Sequence, residues 1–182
     1  SVPYQYLDRP TESYVSIYKE MGYNTYGVHP YIPAFYSRKS GYPLIGIDHL
    51  HFEEDFYNLY HQSDWQIYTS GGYISDYSFE EYLESVLEST EQSTDAPAFL
   101  MGISMEAHQP YENKYKQSDL KVIAENDSLD EATLGAFRNY TMAMWNADAA
   151  LGRLVDYIDG REKETILVYF GDHLPTLGLN YA

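Results

Sequence analysis

None of the 182 residues is a cysteine, which excludes disulfides and zinc–thiolate sites. Basic residues are scarce too: 11 Lys and Arg stand against 28 Asp and Glu, a formal net charge of −17. That balance excludes a general affinity for nucleic-acid backbones, which demand a basic face. It also argues against adhesion to an anionic membrane through this segment. Long apolar runs are missing: the longest nearly apolar stretch is residues 96–105, whereas a spanning helix needs ~20 residues. There is no basic segment followed by an apolar one, so the sequence predicts no signal peptide. The chain reads either as cytosolic or as a piece of a longer exported protein. What it has in quantity is tyrosine, 21 residues against 7 Phe and 2 Trp. Hydrophobic residues reach 44%, too many for an acidic disordered tail. The length suits one domain with a sizeable core.

Helix and strand signals alternate three times. Residues 11–21 read as a short helix with Thr11 as N-cap, Tyr14, Val15, Tyr18 and Met21 on one face, and Gly22 closing the end. Residues 23–28 read as a strand ending at His29-Pro30. Residues 30–75 are rich in Tyr, Gly and Pro and read as irregular, a length that points to function. A second helix begins near Ser78, where Ser78-Phe79-Glu80-Glu81 fits a capping box, and runs to about Thr90. A polar linker at 89–95 precedes a buried strand at 98–105, and residues 108–130 read as irregular. The third helix carries Leu134, Phe137, Thr141, Met144, Asp148, Leu151, Val155 and Ile158 at helical steps and stops at Gly160. Residues 165–170 read as a buried β-branched strand running into Gly171-Asp172-His173. The pattern predicts an α/β fold with a mostly parallel sheet and flanking helices.

Ligands of such sheets bind beyond the carboxyl ends of the strands. His29, His108 and the pair Asp172-His173 each follow a predicted strand, so they are the candidate site. Asp172 and His173 suit a divalent cation, with imidazole tilting the choice toward Mn²⁺ or Zn²⁺ over Mg²⁺. His108 could donate to a phosphate or sulfate oxygen or protonate a leaving group. Arg38 offers a planar fork for phosphate, and Tyr36 a face for a ligand's carbon skeleton. Asp148 reads as a structural carboxylate within an apolar stripe. His49, His51 and His61, set among Asp48, Glu53, Glu54, Asp55 and Asp64, read as a solvated acidic loop. The glycosylation sequons at Asn126 and Asn139 carry no weight, the second being mid-helix.

Several segments in order resemble the lipoteichoic acid synthase family of the sulfatase and alkaline phosphatase superfamily. They are Gly22-Tyr23-Asn24-Thr25-Tyr26-Gly27-Val28-His29-Pro30-Tyr31, Phe35-Tyr36-Ser37-Arg38, Gly46-Ile47-Asp48, Tyr73-Ile74-Ser75-Asp76, the strand leading to His108, and Gly171-Asp172-His173. The resemblance covers nearly the whole chain. It implies an alkaline-phosphatase/sulfatase-like fold and a phosphoglycerol transferase on the outer face of a bacterial membrane. Such an enzyme moves glycerol phosphate from phosphatidylglycerol, through a threonine nucleophile, to a growing cell-envelope polymer. It further implies one Mn²⁺ (or Mg²⁺ or Zn²⁺) with Asp172 and His173 as two ligands. His29, Arg38 and His108 then contact the glycerol phosphate, with His108 also catalytic and Tyr36 packing on the substrate. Tyr36 and Ser37 stand where the family has Trp and Asn.

The family's early Glu and nucleophilic Thr lie upstream of the segment resembling Ser1, and its remaining sheet follows His173. The expectation is therefore part of a single sulfatase-like catalytic domain, residues 1–182, inert by itself, from a membrane-anchored parent with its catalytic domain outside the cell. Two readings compete with it. One is a sulfatase or phosphodiesterase of the same superfamily, acting on another phosphate or sulfate ester. The other is a non-catalytic cell-surface module whose tyrosines stack on carbohydrate.

Overall fold

In the computed structural model, residues 3–63, 66–116 and 128–177 are described. Three parallel strands form the central sheet: β1 (Asn24–His29) lies between β2 (His49–Phe52) and β5 (Ala98–Gly102). Tyr26 is paired with His49 on one side of β1 and with Leu100 on the other. Side chains alternate across the sheet, as strand geometry requires. On one face, Val28, Tyr26 and Leu100 meet Phe56 of α3 (Glu53–Gln62) and Phe79, Tyr82, Leu83 and Val86 of α4 (Asp76–Ser93). On the other, Phe99, Met101 and Leu50 meet Val15 of α1 (Tyr14–Glu20), Tyr42 of α2 (Arg38–Leu44) and Ile47. A two-stranded antiparallel hairpin, β3 (Thr69–Ser70) and β4 (Tyr73–Ile74), precedes α4, and α5 (Glu131–Asp159) packs along α4. The predicted α/β class with a parallel sheet and flanking helices is what the chain adopts. No described helix is long and apolar enough to cross a membrane.

Several element boundaries differ from expectation, each for a local reason. α1 is capped by Ser13 rather than Thr11. Ser13 Oγ accepts the Ser16 N–H and Ser16 Oγ accepts that of Ser13, while the Thr11 N–H is taken by Leu44 O. The stretch 30–75 is not irregular: it holds α2, β2, α3 and the hairpin. Pro43 within α2 masks its signal, whereas the acidic first turn of α3 is itself a helix-start signal that reading 48–64 as a solvated acidic loop passes over. α4 starts at Asp76 with Ser75 as N-cap, because the Ser78 hydroxyl turns away to the Tyr68 N–H. It continues through the expected polar linker to Ser93. There Ser89, Thr90 and Ser93 return their hydroxyls to carbonyls one turn back, and Arg161 pairs with Glu91. The strand expected over 98–105 is shorter and half-buried, since β5 is an edge of the described sheet.

The third helix ends at Gly160 and buries Leu134 as expected, but further along its buried face departs from the expected one. Asn139, Ala143, Ala147, Ala150 and Leu154 face inward, while Met144, Asp148 and Val155 are exposed. Small side chains let α5 approach α4 closely, so packing selects the alanine face over the larger apolar one. Asn139 is itself structural: it accepts the Tyr115 N–H and donates to Gly135 O. Residues 165–170 form no strand and, among the described residues, pair with no strand. Ile166, Val168 and Phe170 are 91%, 73% and 74% exposed. The free edge and face such a segment needs are not supplied by the described residues.

Candidate functional site

The site grows from the carboxyl end of β1. His29 is fully buried there, and its Nδ1 lies 2.8 Å from the carbonyl oxygen of Ile103, just past the end of β5. A carbonyl can only accept, so Nδ1 carries the proton and Nε2 holds a lone pair. That Nε2 is buried and, among the described residues, has no hydrogen-bond partner. Burial first, then the nearby Arg38 charge, lower the His29 pKa to about 4, so the ring is neutral. Phe35 stacks parallel to it with centroids 6.3 Å apart, and Tyr31 meets it edge-on.

Between β1 and α2 the chain turns sharply, with Tyr36 and Ser37 both in the left-handed region at φ 53° and 57°. Non-glycine residues there are strained, and such strain concentrates at functional sites. The turn delivers Arg38 to the first position of α2, where it is buried. Its Nε donates to Tyr42 Oη and its Nη1 to Phe35 O, both at 3.2 Å. The guanidinium carbon lies 5.4 Å from the centroids of both Phe35 and Tyr36. Gly27 is required beneath this arrangement, since a Cβ there would stand 2.8 Å from the Tyr42 ring.

His108 sits six residues beyond β5, its ring edge-on to Phe35 at 5.9 Å and to His173 at 6.3 Å. The rings of His29, Phe35, His108 and His173 thus form a continuous string. Three segments far apart in sequence meet there, although the segment before Asp172 is not the strand expected. Asp172 Oδ1 and His173 Nε2 are 3.7 Å apart, on side chains 61% and 63% exposed. One carboxylate oxygen and one imidazole nitrogen at that separation fit half of a four-donor cation site. Among the described residues no group of three or more metal-ligating side chains occurs. A cleft of about 590 Å³ opens beside His108, floored by Tyr111, Ala132, Ala136 and Leu177.

The other histidines do not join this site. His49 stacks on Tyr26, and His51 Nδ1 lies 3.0 Å from the Tyr82 hydroxyl; Asp64 and Asn126 lie outside the described residues. Conversely, a buried polar group behind His108 was not expected. Glu106 accepts from the Asp76 N–H at 2.8 Å, the Tyr115 hydroxyl at 2.9 Å and Asn146 Nδ2 at 2.6 Å. Burial and the neighbouring Glu106 charge raise the Asp76 pKa to about 7. Lys114 donates to His108 O at 2.7 Å, and burial lowers its pKa to about 8. The signal for Glu106 was a lone carboxylate in a nearly apolar context two residues before His108; Lys114 left none.

Comparison with known proteins identifies the family and the fold. A cyclic beta-1,2-glucan modification protein, so named, from Rhizobium meliloti (strain 1021) is 31% identical over 184 residues, covering 100% of this chain and 26% of the relative. The chain therefore spans about a quarter of that relative. Two solved structures share the fold. The lipoteichoic acid synthase LtaP of Listeria monocytogenes has a TM-score of 0.63 at 22% identity, over 84% of this chain and 34% of its own. The Streptococcus pyogenes phosphoglycerol transferase GacH, solved in complex with sn-glycerol-1-phosphate, has a TM-score of 0.61 at 18% identity, over 78% and 34%. The Sulfatase family profile matches residues 1–181. The chain accordingly belongs to the Sulfatase family and has the alkaline-phosphatase/sulfatase-like α/β fold.

Proposed function

We propose that this chain is part of a metal-dependent phosphoglycerol transferase. The parent moves glycerol phosphate from a phosphatidylglycerol-like lipid to a cell-envelope glycan or polymer, and it is anchored in the bacterial membrane with this domain outside. The observation that carries the reading is the ring string from His29 through Phe35 and His108 to His173, with the buried Arg38 charge beside it. The names of the similar proteins point the same way: one is named for cyclic glucan modification and another as a phosphoglycerol transferase.

Each residue has a role suited to its state. Arg38 supplies fixed positive charge for a phosphate, held in place by Tyr42 and the Phe35 carbonyl. His29, neutral and with its Nε2 lone pair free among the described residues, accepts a hydrogen bond from a hydroxyl of a polyol headgroup rather than pairing with a phosphate oxygen. With Nδ1–H on the Gln109 carbonyl, His108 takes up a proton at Nε2 from the attacking hydroxyl and gives it to the leaving oxygen. Tyr36 packs against the glycerol carbons. Asp172 and His173 would hold a cation such as Mn²⁺, Mg²⁺ or Zn²⁺, which when bound supplies charge stabilisation for the phosphoryl group. The acidic surface leaves anion binding to these few groups.

The purified parent protein, given Mn²⁺ and vesicles of phosphatidylglycerol, should release diacylglycerol. Asp172→Ala should lower that rate by ~10²-fold or more, as loss of a metal-based charge would. No diacylglycerol from the parent, together with sulfate release from an aryl sulfate, would replace the reading with sulfate-ester hydrolysis, which the Sulfatase profile favours.

A further inference from the structure

We infer that Tyr73 and Lys114 are positioning residues for His108, holding the two successive peptide carbonyls of residues 108 and 109 so that the imidazole keeps its proton on Nδ1 and presents Nε2 toward the substrate. The role of Nε2 rests on the transferase reading; the hydrogen-bond arrangement does not.

His108 lies in an irregular segment, so no sheet ladder fixes its backbone. Its Nδ1 is 2.8 Å from the carbonyl oxygen of its own neighbour, Gln109. The ring can hold that tautomer only while the carbonyl points at it. Two side chains keep it there. The Tyr73 hydroxyl, from β4, donates to the same Gln109 oxygen at 2.7 Å, and a carbonyl with two lone pairs accepts both bonds. Burial and the neighbouring Tyr31 raise the Tyr73 pKa, which keeps its hydroxyl a donor.

Lys114 holds the preceding carbonyl, donating from Nζ to His108 O at 2.7 Å. Its ammonium lies 4.7 Å from the Tyr73 ring centroid, so the two residues brace one another. The lysine stem runs over the hairpin tip at Gly71. A Cβ there would stand 2.5 Å from Lys114 Cε, and φ is 58°. Glycine at this tip therefore lets Lys114 reach across to the His108 peptide. The hairpin, the segment after β5 and the candidate site are connected through two hydrogen-bonded carbonyls. A merely structural brace would stabilise the segment without setting the tautomer.

The test uses the parent protein labelled with [¹⁵N]histidine, with the His108 resonance assigned by its loss in His108→Gln. Long-range ¹H–¹⁵N correlation should show the Nδ1–H tautomer in the wild type. Tyr73→Phe and Lys114→Met should each move His108 toward the Nε2–H tautomer, and Lys114→Arg should restore the native one. On phosphatidylglycerol, both disruptive variants should lose about 10-fold in kcat with KM within about twofold. A wild-type Nε2–H tautomer, or variants that keep Nδ1–H, would overturn the assignment. Should Lys114→Met fail to fold, Tyr73→Phe, which removes one oxygen, decides alone. Failure of the transferase reading shows separately, as absence of turnover in a wild type with the expected tautomer.

Discussion

At the residue scale, the decisive group is His29, because its protonation is coupled to folding. Its pKa is about 4 in the folded chain against an ordinary value of 6.5. Above 6.5 both states are neutral and the residue costs nothing. As pH falls from about 6.5 toward 4, the unfolded chain takes up a proton that the folded chain refuses, so stability is lost over that window. The span corresponds to roughly 3 kcal/mol. His29→Asn, which keeps a donor for Ile103 O, should remove this part of the acid sensitivity. Thermal unfolding of wild type and variant should therefore converge as pH drops from 7 to 4.5, and parallel curves would show that His29 titrates normally. Asp76 acts with the opposite sign: its raised pKa favours the folded chain at low pH and withdraws that support as pH rises toward 7.

At the scale of elements, chemistry was more legible than packing. His29, His108 and the pair Asp172-His173 stood out as polar residues past strand signals, Arg38 only through the family resemblance, and ring contacts run from His29 through Phe35 and His108 to His173. The face of α5 did not, because Ala143, Ala147 and Ala150 carry little hydrophobic signal while Met144 and Val155 carry much; only the closeness of α4 decides between them. Lys114 was illegible for another reason: its partners are backbone carbonyls, which no side-chain pattern encodes. Residues 165–170 teach the converse. Their pattern is that of a buried strand, yet Ile166, Val168 and Phe170 face solvent. An apolar, β-branched segment left unpaired recruits other edges. Ile166→Lys combined with Val168→Lys should thus lower self-association of the 182-residue chain, read by light scattering. Unchanged association would mean that another surface drives it.

For the whole molecule, the excess of acid sets the dominant long-range term. A charge of −17 repels itself in the compact state, and screening shortens from ~30 Å at 0.01 M salt to ~8 Å at 0.15 M. Raising NaCl over that range should increase the melting temperature by a few degrees, about 2–4 °C per kcal/mol of relief. A decrease would mean that ion pairs such as Arg153 with Glu81, at 3.3 Å, outweigh the repulsion. The strand order has a different consequence, one of timing. β1 can find β2 from close by in sequence, but the bond from His29 to Ile103 spans 74 residues. Closing so large a loop must precede any reward from the contact. A chain in which β5 has not docked on β1 lacks the Ile103 carbonyl that holds His29, so the candidate site arises only after that long-range docking.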